Sequence, residues 1–486
     1  MTTFQAIIGM EVHVQLQTRS KMFCGCAVAE DTGDLPPNTF VCPVCTAMPG
    51  TLPVINRQAV EFTILTGLAL NCKIAGHTLW ERKSYWYPDL PKNYQISQYQ
   101  LPLAYDGWIE IEPQGVPLKR IGITRAHLEE DTGKLQHVSG ASLIDFNRAG
   151  VPLLEIVTEP DLRSADQAHA YLTKLRTIVR YLGVGSGDME KGAMRCEANI
   201  SLRPVGAEAF GVKTEIKNLN SFRAVRQALD YEIERQTALL ESGGRVEQVT
   251  MGWDEARRRT VVQRIKEESS DYRYFPEPDL PPLEIRREWV QEIRAHLPEL
   301  PDAKVARFEA DFILSAHDAG VLASDQAVAG YFEAAVAAGG APKQTANWIT
   351  GELFRLIKER NLEIAAVEEN VPPARLVELM SLVRKKTINA NTAKEVLADM
   401  LESGQAAQEI VEARGLAQLS DAAALAAIVT QVLDEHPDIV AQYLSGKEAV
   451  SGWLMGQVMR ATHGQADPQL ARKLLLEQLT AIKGEG

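Results

Sequence analysis

The chain has 486 residues, of which 45% are hydrophobic and 24% charged, and its formal net charge is -13. That length exceeds one ordinary core and predicts two or three domains, and the lack of any run of about 20 apolar residues excludes a helical membrane anchor. The acidic excess argues against non-specific nucleic-acid binding, but not against a nucleic acid held by a local basic surface.

The first residues, MTTFQAIIGMEVHVQL, carry no basic segment followed by an apolar one. No secretory signal is therefore expected, and the cytoplasm is the default compartment. In GMEVHVQLQT, Val12, Val14 and Leu16 alternate with Glu11, His13 and Gln15. This predicts a strand with one apolar face and a second face carrying a carboxylate, an imidazole and an amide. Taken alone, a half-exposed strand with a polar solvent face accounts for it equally well.

The next segment, FCGCAVAEDTGDLPPNTFVCPVC, sets Cys24 and Cys26 against Cys42 and Cys45 across a loop of fifteen residues. Thiolates at this spacing close around a tetrahedral Zn²⁺, and four of them leave no open position, so the expected site is structural. Free thiols are the competing reading. Cys72 and Cys196 stand alone and read as small buried hydrophobes. WERKSYWYPDLPKNYQISQYQLPL then gathers Trp80, Arg82, Lys83, Tyr85, Trp86, Tyr87, Lys92 and Tyr94 around Pro88 and Pro91, which exclude a helix. Such a segment can stack on a nucleobase and bind phosphate, or simply cap a sheet.

Further strands repeat the mixed polar pattern. ITRAHLEEDTG, if extended, puts Arg125, His127, Glu129 and Asp131 on one face and Glu130 on the other. VPLLEIVTEPD aligns Glu155 and Glu159, MRCEANISL aligns Arg195, Glu197, Asn199 and Ser201, and KTEIKNLN aligns Lys213, Glu215 and Lys217 ahead of Asn218 and Asn220. A sheet lined with carboxylates, a histidine and cations is equipped for Mg²⁺-dependent phosphoryl transfer, because the metal needs oxygen ligands and the transferring phosphoryl group needs positive charge. A charged sheet surface laced with ion pairs is the alternative. No P-loop or Rossmann glycine motif is present, so ATP, if bound, lies on the sheet. Arg82, Lys83, Lys92, Arg195, Lys217, Asn218 and Asn220 are its candidate contacts.

Two amphipathic helices interrupt the strands. One carries Ala168, Leu172, Leu175, Val179 and Leu182 at helical spacing behind Ser164 as N-cap. The other starts at Phe222 and ends at Gly243 and Gly244. SSDYRYFPEPDLPPL, from Ser269, is a second Pro-rich aromatic segment, preceded by Arg257, Arg258 and Arg259 in what reads as a solvated charge run. LPELPDA, residues 297–303, reads as a linker; beyond it the chain is helical, with a second break near Gly415. The expected architecture is α+β: a strand-rich domain over residues 1–297 with a zinc loop at 24–45, a helical domain over 298–412, and a helical tail over 413–486.

These stretches together (IIGMEVHVQL, YPDLPKNYQISQY, GITRAHLEEDTGK, DFNRAGVPLLEIVTEPD, MRCEANISLRP, KTEIKNLNSF and DYRYFPEPDLPPL) resemble the B subunits of the aspartyl/glutamyl-tRNA(Asn/Gln) amidotransferases, and the resemblance runs to the tail ending GWLMGQVMRATHGQADPQL. It implies a cradle-shaped catalytic domain resembling the glutamine synthetase fold. It implies ATP-dependent phosphorylation of the side-chain carboxylate of mischarged Glu-tRNA(Gln) or Asp-tRNA(Asn), then amidation. Ammonia would come from a partner amidase subunit, with glutamine as the amido donor, and a small third subunit would complete a heterotrimer. Carried onto these motifs, the Mg²⁺ ligands are His13, Glu130 and Glu155, with Glu11 close by as a further catalytic residue; Glu130 departs from the face that strand alternation gives to Glu129. Neither DNA nor a membrane is an expected partner.

Independent of that resemblance, the chain has Thr2 where an N-terminal nucleophile glutaminase would have Cys, and it has no Gly- and Ser-rich amidase stretch, so ammonia must come from elsewhere. The tail, with Lys447, Arg460, Arg472 and Lys473 and the turns SGKEAVSGW and THGQADPQ, is expected to bind the body of the tRNA; packing against its own helical domain is the alternative. A stand-alone glutamine-synthetase-like ligase would leave the helical half unexplained. A non-catalytic zinc-bearing tRNA scaffold would leave the carboxylate-lined sheet unexplained.

Overall fold

A computed structural model describes residues 3–28, 35–113, 117–265, 272–417, 422–462 and 466–485. The chain divides into two compact units, Met1–Pro301 and Asp302–Gly486.

The first unit holds sixteen strands among its described residues: β1 Phe4–Gln15, β2 Lys73–Ile74, β3 His77–Thr78, β4 Glu81–Ser84, β5 Tyr94–Ser97, β6 Ala104–Ile111, β7 Lys119–Glu130, β8 Lys134–Val138, β9 Ala141–Asp145, β10 Pro152–Thr158, β11 Met194–Pro204, β12 Thr214–Leu219, β13 Val249–Asp254, β14 Arg259–Ile265, β15 Phe275–Pro276 and β16 Leu283–Glu284. Nine form one sheet in the order β14-β13-β12-β11-β1-β10-β7-β6-β2. All neighbours are antiparallel except the β12–β13 pair. β15, β4 and β5 make a separate three-stranded sheet.

Strand alternation divides the large sheet into two unlike faces. One face presents Met10, Val12, Val14, Leu154, Ile156, Ala126, Leu128, Cys196, Ala198 and Ile200, all buried. Three helices, α1 Arg57–Ala69, α2 Ala165–Tyr181 and α3 Phe222–Glu241, pack into the same core. Each fully buried Leu or Ile there contributes about 1.5–3 kcal/mol. Ser164 and Ser221 cap α2 and α3, each accepting from the backbone N–H three residues on. A further helix, α4 Arg287–Ala295, adds Ile293 to that core. The opposite face of β12, β11, β1, β10 and β7 is polar, and it carries the site.

The second unit is helical. Its helices from Pro301–Phe312 to Ala407–Ala413 enclose a core that includes Phe308, Phe332, Ile349, Leu376, Val396 and Met400. Ala422–Glu435, Pro437–Leu444, Ser451–Ala461 and Pro468–Glu485 enclose another, built on Leu425, Val429, Leu454, Val458 and Leu475. The stretch read as a linker is partly helix: Pro301 opens Pro301–Phe312, a first-turn position where its missing N–H has no partner to lose. No helix of the described residues is long and apolar enough to cross a membrane.

Candidate active site

The register of the central strands builds the site row by row. His13 pairs with Arg195 on β11 and with Glu155 on β10, and Glu155 pairs with His127 on β7. Glu11 pairs with Glu197, and Asn199 with Glu215 on β12. All of these but Asn199 line a cavity of about 780 Å³ on the polar face, whose other wall is Lys83, Tyr85, Gln95, Ser97, Tyr99, Tyr272 and Tyr274.

At its centre, His13 Nε2 lies 3.4 Å from a Glu129 oxygen and 3.2 Å from a Glu155 oxygen. One ligand atom from each of the three residues lies within 4.8 Å of the other two. An octahedral Mg²⁺ with ligands at about 2.1 Å holds adjacent ligand atoms about 3 Å apart, so this donor set fits a hard divalent cation. Burial alone would depress the His13 imidazole, but its hydrogen bonds to Glu129 and Glu155 outweigh that and push it up to about 10. The two carboxylates thus create a demand for positive charge that a proton on His13 or a metal ion can meet. Burial pushes Glu155 up, yet His127 and His13 hold it well below the usual carboxylate range. Burial, then Glu155 and Glu197, raise Glu11, which accepts from Asn199 at 2.8 Å.

The cations of the cavity stand around this centre. Lys217 reaches Glu197 at 2.7 Å and Glu215 at 3.3 Å. Arg195 pairs with buried Asp131 at 2.8 Å, and Arg125 approaches Glu155 at 3.7 Å. Lys83 Nζ lies 5.2 Å from the Tyr272 ring, and Tyr99 stacks on Tyr274 with centroids 4.4 Å apart. Two buried nitrogens of the sheet side of the cavity, the Arg125 Nε–H donor and His127 Nδ1, have no hydrogen-bond partner among the described residues. The cavity can thus offer anion-binding donors beside a cation site.

Several expected site residues do not come together. Glu130 is not with His13 and Glu155; Glu129 takes that place. The β7–β10 register has no bulge at this point, so Glu130 points to the face of Ala126 and Leu128. There it receives Lys92 at 2.5 Å and the Ile96 N–H at 3.0 Å. Lys92 is therefore engaged outside the cavity. Arg82 is also elsewhere, forked onto Glu277 at 2.7 Å through two nitrogens and stacked 4.3 Å from the Tyr94 ring. Asn218, with φ +62°, and Asn220 are exposed and do not line the cavity. Of the candidate ATP contacts, Lys83, Arg195 and Lys217 face it. Tyr99, which lies in the aromatic segment but is not among the residues singled out there, lines the cavity, while Trp86 and Tyr87 of the same segment are exposed. Ser269 to Asp271, at the head of the second aromatic segment, and His463 to Gln465, in the tail turn, lie outside the described residues, as do residues 29–34 of the cysteine loop.

The four loop cysteines converge. One sulfur from each lies within 4.8 Å of the others, and Cys42 and Cys45 are 3.9 Å apart at sulfur. Zn–S bonds of about 2.3 Å in a tetrahedron put sulfurs about 3.8 Å apart, so the donor set fits zinc. The Cys42 N–H donates to Cys45 Sγ at 3.1 Å. The hydrogen bond from Cys24, helped by Cys42 and Lys21, draws Cys45 well below the usual thiol range despite burial. Cys72 and Cys196 are buried among hydrophobic neighbours, and burial pushes each thiol up to about 12.

Two family models match the chain: the GatB/GatE catalytic domain over residues 6–291 and the GatB domain over residues 330–479. Curated relatives match nearly end to end. A protein of Moorella thermoacetica is 55% identical over 98% of this chain and 100% of its own length. One of Roseiflexus castenholzii is 52% identical over 97% and 98%, and one of Thermodesulfovibrio yellowstonii is 50% identical over 98% and 99%. Each is named as the B subunit of an aspartyl/glutamyl-tRNA(Asn/Gln) amidotransferase.

Proposed function

Because this chain belongs to the GatB/GatE family of amidotransferase B subunits, we propose that it converts mischarged Glu-tRNA(Gln), Asp-tRNA(Asn) or both to the amidated form, and that the cavity on the large sheet is where ATP activates the amino-acid side chain. The observation that carries this reading is the His13–Glu129–Glu155 cluster set among Lys83, Arg125, Arg195 and Lys217 in one cavity.

In the first step an oxygen of the side-chain carboxylate attacks the γ-phosphorus of ATP, ADP departs, and an acyl phosphate forms. In the second, ammonia attacks the acyl carbon, the carbon–oxygen bond breaks, phosphate leaves with the former carboxylate oxygen, and nitrogen gives up a proton to yield the amide. A Mg²⁺ ion held by His13, Glu129 and Glu155, with Glu11 nearby, would neutralise charge on the transferring phosphoryl group. Lys217, Arg195 and Lys83, which line the same cavity, supply positive charge toward the phosphates. Arg125 holds an unpartnered N–H where the carboxylate or the phosphoryl oxygens would arrive. The tyrosine wall limits water around an intermediate that water would hydrolyse.

Nothing in the sequence resembles an amidase, so ammonia comes from a partner subunit that hydrolyses glutamine, with a small third subunit completing the assembly. The domain plan in this reading is a catalytic cradle over residues 1–297, akin to the glutamine synthetase catalytic fold, a helical domain over 298–412, and a tRNA-binding tail over 413–486. The cysteine cluster is a structural zinc site.

A tRNA-dependent ATPase assay on the reconstituted complex tests this. Release of ADP only when mischarged tRNA is present is expected. ADP release driven by free glutamate without tRNA would instead indicate a stand-alone ligase, and tRNA binding with no ATP turnover a scaffold.

A further inference from the structure

Lys21 lies just beyond β1 and ahead of the first cysteine pair, and its side chain is 0% exposed. Its Nζ donates to the Phe146 carbonyl at 3.2 Å and stands 3.7 Å from Cys45 Sγ. No carboxylate pairs with it among the described residues. Burying an ammonium without an anion carries a heavy desolvation penalty. Lys92, also largely buried, meets that penalty with Glu130. Lys21 has only sulfur to turn to. A zinc ion ringed by four thiolates carries a net charge of about -2, which is the partner a buried ammonium lacks.

We propose that Lys21 is the built-in counter-ion of the zinc–thiolate centre, and that through it the centre fastens the turn leading to the active-site strand β10. The inference rests on reading the four cysteines as a zinc site. Its geometric basis is a single packed unit. A Cβ placed on Gly150 would stand 3.6 Å from both Lys21 Cδ and Cys45 Cβ, ordinary van der Waals distance, so the lysine stem, the ligand and this turn lie side by side. The Met22 N–H donates to the Gly150 carbonyl at 2.7 Å, the Gly150 N–H to the Asp131 carbonyl at 2.9 Å, and the Asp131 N–H to the Val151 carbonyl at 2.8 Å. Val151 leads directly into β10, which carries Glu155. Lys21 is thus a positioning residue; it touches neither substrate nor the reacting atoms.

The test compares the full-length chain with Lys21→Met, which keeps the stem and removes the charge. With zinc loaded, the variant is expected to melt roughly 5 °C or more below wild type and to surrender zinc to a chromogenic chelator about tenfold or more faster. After zinc is stripped, the gap in melting temperature should shrink to less than half or reverse, because the zinc-held ring of four thiolates that faces Lys21 is gone. A residue that only fills space would cost the same in both states. Equal destabilisation with and without zinc, or unchanged zinc release, overturns the proposal. Lys21→Gln gives a second uncharged side chain with the same expected pattern, should the methionine variant not fold. Wild-type protein that purifies without zinc, with all four loop thiols freely titratable, overturns the proposal together with the zinc reading beneath it.

Discussion

Glu129→Ala removes one of three groups that converge on a single point of the cavity floor. The tRNA-dependent ATPase rate of the assembled complex should fall on the order of a thousandfold, as should those of Glu155→Ala and His13→Ala, because the metal these groups would hold neutralises charge that the surrounding cations only partly offset. The fold should survive, since all three face the cavity rather than the helix-covered core. Glu130→Ala should behave differently. It strands Lys92 in a largely buried position, so chemical denaturation should report a stability loss of about 3 kcal/mol, while correctly folded enzyme should still bind the metal. Strand alternation alone put Glu129, not Glu130, with Arg125 and His127, so its place beside His13 and Glu155 was legible in the period of the strand. What the sequence did not reveal is where Arg82 and Lys92 would find their partners. Glu277 and Glu130 lie 195 and 38 residues away from them respectively, and only the folded chain brings the carboxylates to those cations.

Among the elements, the cysteine loop was the most legible, because four sulfurs at short spacing have few alternative uses. Metal analysis of pure protein should find about one zinc per chain, and Cys42→Ala should abolish it and destabilise the first unit. Helix α3 offers a different test. Its Glu232, buried at 0% exposure, accepts from Arg235 at 2.9 Å, from Gln236 at 3.0 Å and from Thr260 of β14, tying the helix to the far edge of the sheet. Burial pushes this carboxylate up, but the bonds from Arg235, Thr260 and Gln236 prevail and depress it. A depressed folded value means the stabilisation is present above the unfolded value of about 4.3 and is lost as pH falls below it. Glu232→Gln should therefore lower stability near neutral pH by about 2 kcal/mol and flatten the acid side of the stability curve. An acid limb as steep as that of wild type would contradict this. The capped, amphipathic helices α2 and α3 were readable from Ser164 and from Phe222 onward. Helix α1 was not, because Ala59, Val60, Thr63, Ile64, Thr66, Gly67 and Leu68 are all buried and a helix covered on several sides shows no clear stripe.

On the scale of the whole molecule, composition pointed away from RNA, and the net charge of -13 still sets a condition on the reading. If the tail binds tRNA, it does so by shape more than by bulk attraction, and affinity should depend only weakly on salt. Deleting residues 413–486 should raise the KM for mischarged tRNA at least about tenfold, and the tail's separate hydrophobic core should let the first unit keep its fold when it is removed. An unchanged KM would make the tail structural. The central claim, activation of the side-chain carboxylate by ATP, is tested most directly with isotope. Mischarged Glu-tRNA(Gln) or Asp-tRNA(Asn) carrying ¹⁸O in the side-chain carboxylate is turned over by the complete complex with ATP and glutamine, and the released phosphate is weighed by mass spectrometry. One ¹⁸O per phosphate is expected, because the acyl phosphate breaks at its carbon–oxygen bond and the former carboxylate oxygen leaves with phosphorus. Phosphate without label, alongside normal formation of the amide, would contradict the account.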